Sequence, residues 1–172
     1  MIEGEKVNLR PLTAADTDLI VGWRNQPFVR EKMIRRALIT AESHREWVRT
    51  MVETGKAVQF VIIEKQSNRP VGSVFLRDID YDFAKAEFGI FIGEEEARGQ
   101  GYGTEAAALL LAYAFAELRL HKVFLRLLAG NEAAEKSYAK AGFRREAVLK
   151  DDVKPEGEFC DVIIMSAFNH AV

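Results

Sequence analysis

Two periods of apolar residues divide the chain. Lys6-Val-Asn-Leu-Arg10 alternates with period two and ends at Pro11, which predicts a strand closed by a residue that cannot extend it. From Thr13, with Asp16 in the first turn, Leu19, Ile20 and Trp23 return at helical spacing until Asn25 and Pro27 break the pattern. A second helix is predicted from Thr40, with Trp47, Val48 and Met51 on one face and a stop at Gly55. The β-branched run at 58–63, a turn at Asn68-Arg-Pro70 and the apolar run at 71–76 predict a hairpin. A strand at 86–92 leads into Arg98-Gly-Gln-Gly-Tyr-Gly103, and an Ala/Leu-rich helix follows over about 104–118. Residues 122–128 predict another strand, 131–141 a helix stopped by Gly142, and 159–165 a closing strand. Strands and helices in this mixed order predict an α/β (α+β) domain, a central sheet with helices on both faces.

At 172 residues, 48% of them apolar, the chain is long enough for one sizeable core and short for two, so a single domain over 1–172 is expected. A net charge of −2 offers no basic footprint for nucleic acid or an anionic membrane. Residues 1–11 lack the basic head and apolar run of a secretory signal, and the longest apolar stretch, 106–116, is too short to span a bilayer. The single cysteine, Cys160, excludes an internal disulfide and fits a reducing cytoplasm. His44 has neither an H-E-x-x-H context nor a cysteine partner, so no metal is expected.

The glycine-rich loop carries the clearest chemistry. Gly99, Gly101 and Gly103 alternate with Gln100 and Tyr102, leaving backbone N–H groups unshielded where a helix begins. Unpaired first-turn amides and the positive end of the helix dipole favour a phosphate or diphosphate, and Arg98 adds a cation. Gly101-Tyr-Gly103-Thr-Glu-Ala106 also satisfies the G-x-G-x-x-A form of the dinucleotide fingerprint, but the following strand offers Arg126 where an acidic residue is needed. No G-x-x-x-x-G-K-S/T is present, which removes a P-loop nucleotidase.

Together with the segments C-terminal to it, this loop resembles the acetyl-CoA signature of the GNAT superfamily, Q/R-x-x-G-x-G/A, here Arg98-Gly-Gln-Gly-Tyr-Gly103. Leu120-His-Lys-Val-Phe-Leu125, Asn131, Tyr138 and Ala141-Gly-Phe143 follow in the family's order, and Phe159-Cys-Asp-Val-Ile-Ile-Met165 is similar to the last strand of its spermidine and ribosomal-protein N-acetyltransferase branches. The resemblance implies a single-domain, mainly antiparallel sheet whose central strands splay around the pantetheine arm of acetyl-CoA, the cosubstrate. It places the coenzyme's amides against Phe91 and Ile92, its diphosphate on Arg98, Gly99, Gln100, Gly101, Tyr102, Gly103 and Thr104, and its arm beside Asn131. Gly89 fits a bulge or a close approach inside the strand.

The implied reaction moves an acetyl group to a primary amine. An amine of pKa near 10 is mostly protonated at pH 7, so freeing its lone pair costs roughly 4 kcal/mol. Glu87 matches the family position of a carboxylate facing the acceptor, as base directly or through water; Tyr138 matches the usual acid for the departing thiolate. A strand amide near Phe91 suits the oxyanion. Trp23, Asn25 and His44 lie in the helical arm that borders the acceptor in relatives, although Trp23 and Trp47 also sit on apolar helical faces that favour core packing. Asp78, Asp80, Asp82, Asp151 and Asp152 suit a polyamine, and equally solvated loops. The acceptor expected first is a small polyamine-like amine such as spermidine, with a nucleotide-linked amino sugar or a protein N-terminus as alternatives. A non-catalytic acyl-CoA sensor and a nicotinamide oxidoreductase are the readings from other classes, and a homodimer is one assembly the sequence allows.

Overall fold

The computed structural model describes residues 1–170. Strands β2 (Val7–Pro11), β3 (Val58–Glu64), β4 (Pro70–Asp80) and β5 (Lys85–Ile92) form an antiparallel run, edged by the two-residue β1 (Ile2–Glu3). Beside β5 lies β6 (Lys122–Leu128), the parallel neighbour; then come β8 (Cys160–Phe168) and, at the far edge, β7 (Arg144–Val153). The sheet has eight strands in the order β1-β2-β3-β4-β5-β6-β8-β7.

The parallel pair ends early. Only Lys85–Lys122, Ala86–Val123 and Glu87–Phe124 are in register. Beyond Glu87 the two strands part, while β5 stays on β4 as far as Ile92–Gly72 and β6 stays on β8 as far as Leu128–Val162. A gap therefore opens inside the sheet, flanked by strand edges whose backbone groups need partners.

Helices cover both faces. On one, α4 (Tyr102–Ala116) buries Ala106, Ala107, Leu110, Leu111 and Ala114 against the sheet, with α5 (Glu132–Ala141) beside it. Spacings of one, four, five and eight residues put these side chains on one helical stripe, and the alanines let the axis lie close. On the other face, α1 (Thr17–Arg24) packs Ile20 and Trp23 with Val29, Val61, Ile63 and Phe91. Alternation along β5 sends Phe88, Ile90 and Ile92 to the α4 side, and Glu87, Gly89 and Phe91 to the α1 side.

Several elements differ from their sequence signals. Pro27 ends α1 but also opens α2 (Pro27–Arg30), in the first helical position where its missing N–H costs nothing. The helix from Thr40 is α-helical only over α3 (Ala41–Trp47), then widens into a π turn across Val48–Val52. Strand β4 runs on to Asp80, so Asp78 and Asp80 are strand residues rather than loop acids. Strand β7 has no sequence signal, because this edge strand is exposed along almost its whole length and shows no alternation. Gly89 marks no bulge: its cross-strand partner is Phe75, and a Cβ at Gly89 would sit 2.3 Å from that ring. Among the described residues no helix is long and apolar enough to cross a membrane.

Candidate active site

The gap between β5 and β6 opens into a cleft of about 710 Å³ that passes between the helical layers. At one end stands the start of α4. The helix predicted from Thr104 begins at Tyr102, and its N-cap is Gly101 in the left-handed region, φ +83°. Among the described residues no side chain caps the first-turn amides, so the donors every helix leaves unpaired at its start remain available to a ligand. Arg98, Gly99, Gly101, Tyr102, Gly103 and Thr104 border the cleft together with Phe91 and Ile92. Gln100 does not: it is exposed, and its carbonyl accepts from Lys6 Nζ at 3.3 Å. The guanidinium of Arg98 stacks over the Phe28 ring at 5.4 Å.

Helix α5 forms the second wall. Asn131 is its N-cap, accepting from the Ala134 amide through Oδ1 at 3.3 Å, which leaves the side-chain NH₂ for the cleft. Thr104 Oγ1 and Ser137 Oγ, 2.7 Å apart, tie α4 to α5. Uncapped amides, a left-handed glycine and the cations Arg98, Lys136 and Lys140 fit the diphosphate of a nucleotide-like coenzyme.

Tyr138 comes from the same helix and lies on the α4 side. Its ring meets Phe88 and Phe143 edge-on, both at 6.0 Å between centroids. Burial pushes its hydroxyl up to about 12, and no neighbouring charge or hydrogen bond moves it further. Glu87, on the opposite face, is 9% exposed. Arg77 Nη2 and Arg126 Nε each donate to its Oε1 at 2.9 Å. Burial opposes the carboxylate, but the two arginines outweigh it and hold its pKa below the ordinary value. Glu87 and Tyr138 thus face the same cleft from opposite sides of the sheet.

The three arm residues predicted to bind the acceptor do not border the cleft. Trp23 is buried under Gly93, where a Cβ would meet its ring at 2.1 Å, and its Nε1 donates to Glu94 at 2.7 Å. Asn25 spans the loop after α2, donating to the Ile39 carbonyl at 2.8 Å and accepting from its amide at 2.9 Å. His44 sits between α1 and α3, with Nδ1 3.1 Å from Thr17 Oγ1 and Nε2 buried without a partner among the described residues. Trp23 and His44 are buried between packed elements, and Asn25, the C-cap of α1, is held by both backbone groups of Ile39.

Burial first, then Arg45, lowers the His44 pKa against a smaller opposing pull from Asp16. The unfolded chain therefore binds this proton more readily. Stability is fully present above pH 6.5 and is lost as pH falls from there toward the folded value. The melting temperature is expected to drop between about pH 7.5 and 5.5, and His44→Gln to flatten that dependence by thermal melts at both values.

The structure also gathers residues without a sequence signal. Arg24, Lys32, Arg35 and Arg77 border the cleft on the Glu87 side, joined there by Arg126. They come from a helix, a loop and two strands, and no spacing in the sequence unites them.

Comparison with known proteins agrees with this architecture. The family model described as an acetyltransferase (GNAT) domain matches residues 6–144. The chain is 27% identical to a probable N-acetyltransferase, YjcK, of Bacillus subtilis, covering 98% of this chain and 97% of that one. It is 27% identical to the spermidine N(1)-acetyltransferase of Vibrio cholerae over 91% and 90% of the two chains. The crystal structure of the spermidine N-acetyltransferase from V. cholerae in complex with CoA and spermine superposes with a TM-score of 0.88 at 25% identity, covering 96% of both chains. The chain belongs to the GNAT acetyltransferase family. It is an acyltransferase with acetyl-CoA as cosubstrate, and it transfers acetyl to an amine.

Proposed function

We propose that the chain, acting as one domain, acetylates the primary amine of a small molecule that enters from the Glu87 face of the sheet. The observation that carries this is the gap beyond Glu87: an uncapped helix start at one end, with Glu87 and Tyr138 on opposite walls. Arg98, Lys136, Lys140 and the amides of 101–104 would hold the coenzyme's diphosphate, and the free edge of β5 from Phe88 to Ile92 would pair with its pantetheine arm. The coenzyme supplies a thioester, whose carbonyl oxygen gains negative charge during attack. A β5 amide near Phe91 suits that charge.

Glu87 remains ionised at neutral pH, held so by Arg77 and Arg126. A carboxylate that weak as a base does not draw a proton from an ammonium; it orients the amine, directly or through water, while the proton leaves to solvent. Tyr138 then returns a proton to the departing sulfur. Its raised pKa makes it a reluctant acid, but the apolar surroundings that raise it also destabilise the thiolate. With no base titrating near neutrality, log kcat/KM is expected to climb with a slope of about one between roughly pH 6 and 9. A plateau starting near pH 7 would place a true general base in the site.

The polyamine reading draws on the spermidine N-acetyltransferase relatives. The acids that would attract a polyamine, Asp78, Asp80, Asp82, Asp151 and Asp152, do not border the cleft. An amine panel with thiol release as readout tests the acceptor: fastest turnover of spermidine supports the polyamine reading, and fastest turnover of an amino-sugar nucleotide or of a peptide amine supports one of the alternatives. A dodecameric structure is known for the V. cholerae enzyme. Self-association of this chain, as a dimer or a larger oligomer, is the matching proposal and is read by sedimentation. A cytoplasmic setting fits its free Cys160.

A further inference from the structure

The two ends of the cleft differ in what they can hold. At the coenzyme end, Arg98 stands beside the start of α4, and Lys136 and Lys140 project from α5. On the Glu87 face the same cleft is bordered by Arg24, Lys32, Arg35, Arg77 and Arg126 and by one acid, Glu87, while the Asp78 carboxylate lies outside the cleft, 4.0 Å from Arg77 Nε. The whole chain has a net charge of −2, so this concentration of positive charge is local. Glu87 can neutralise one cation, yet it already serves two, with both donors on Oε1 at 2.9 Å.

Neighbouring arginines outside the cleft are matched. Arg30 donates twice to the Arg36 carbonyl, at 2.9 and 2.8 Å, and the Arg36 guanidinium pairs with Glu156 at 2.5 Å. Arg24 is different: its Nη1 is buried with no hydrogen-bond partner among the described residues. Burial, followed by repulsion from Arg30 and Arg77, works against its charge. A buried guanidinium nitrogen with neither acceptor nor counter-charge is costly to keep, and such a cost is relieved when an anion binds. Arginine meets carboxylate or phosphate with short, charge-assisted and often paired hydrogen bonds.

We propose that the acceptor is a small amine that also carries a carboxylate or a phosphate, and that Arg24, with Arg77 and Arg126, holds this anionic group beside Glu87. The inference rests on the transferase reading and narrows its acceptor. One amine and one anion on the same small molecule match the single carboxylate and the excess of guanidinium groups. A polyamine brings further positive charge to a cleft face bordered by five cations and by one acid that two arginines already engage, and like charges at close range repel.

Matched pairs test this with saturating acetyl-CoA: glycine against glycinamide for a carboxylate, glucosamine 6-phosphate against glucosamine for a phosphate, and spermidine alongside. In at least one pair the anionic member is expected to exceed its neutral analogue in kcat/KM by about tenfold or more, with spermidine behind both. The pair that shows the preference identifies the anion. Arg24→Gln is expected to collapse that preference and Arg24→Lys to keep part of it. Arg24→Gln should also melt no lower than the parent, since it removes an unmatched buried charge; a structural arginine would show a clear loss. Calorimetric binding of each anionic member to the CoA-loaded protein gives a second readout. Binding that Arg24→Gln abolishes, without turnover, supports an anion site and overturns its place in acceptor recognition. Turnover of neutral amines or spermidine with no preference for either anionic member, and no anion binding, overturns this proposal and leaves the transferase reading in place. Neither binding nor turnover overturns the anion site and the small-molecule acceptor together.

Discussion

Gly101→Glu is expected to remove acetyl-CoA binding while leaving the fold standing. Gly101 adopts φ +83° at the N-cap of α4, so any side chain there carries strain of about 1–3 kcal/mol. The new Cβ would lie 3.2 Å from Lys6 Nζ, the movable end of an exposed side chain, so sterics alone are tolerable. Charge is the larger effect. A carboxylate about 4 Å from a diphosphate repels it by roughly 4 kcal/mol per charge pair at the effective dielectric of a protein surface, which is about a thousandfold in affinity. The same carboxylate also competes for the uncapped first-turn amides. Gly101→Ala carries the strain without the charge, and calorimetric titration should find it weakened by no more than about tenfold. Equal losses in the two variants would mean that the helix start matters for shape and not for anion binding.

Tyr138→Phe is the second large effect. The ring keeps its contacts with Phe88 and Phe143, so packing and coenzyme affinity are retained, whereas the hydroxyl that would protonate the thiolate disappears. Loss of a positioned acid typically lowers a rate by about 10²–10⁴-fold, and kcat is expected to fall within that range. Burial has pushed the Tyr138 hydroxyl up to about 12, so it stays protonated at every workable pH. The variant's deficit should therefore be the same at about pH 7 and pH 9. An unchanged kcat would assign the thiolate's proton to water.

Legibility in the sequence followed local pattern. The strands at 58–63 and 122–128 and the helix after Gly103 announced themselves through period and glycine punctuation, and the proposed coenzyme loop through glycine spacing at a helix start. Strand β7 was silent, because an exposed edge strand needs no alternating apolar face and Arg144–Val153 has none. The parting of β5 and β6 came from the family resemblance alone; it is a property of pairing between segments far apart in the chain. Trp23, Asn25 and His44 lie in the predicted arm but point into it, where burial rewards an aromatic ring and a matched amide. The cations around Glu87 were invisible for the opposite reason. Each is an ordinary polar residue in its own segment, and only the fold brings them to one cleft.

The proposed coenzyme site depends most on the start of α4 holding the diphosphate. Amide chemical shifts followed during titration with CoA report on this directly. The largest changes are expected at the N–H groups of Gly99, Gly101, Tyr102, Gly103 and Thr104, with weaker ones along Phe88 to Ile92. Saturable CoA binding that leaves those five amides unmoved would contradict it.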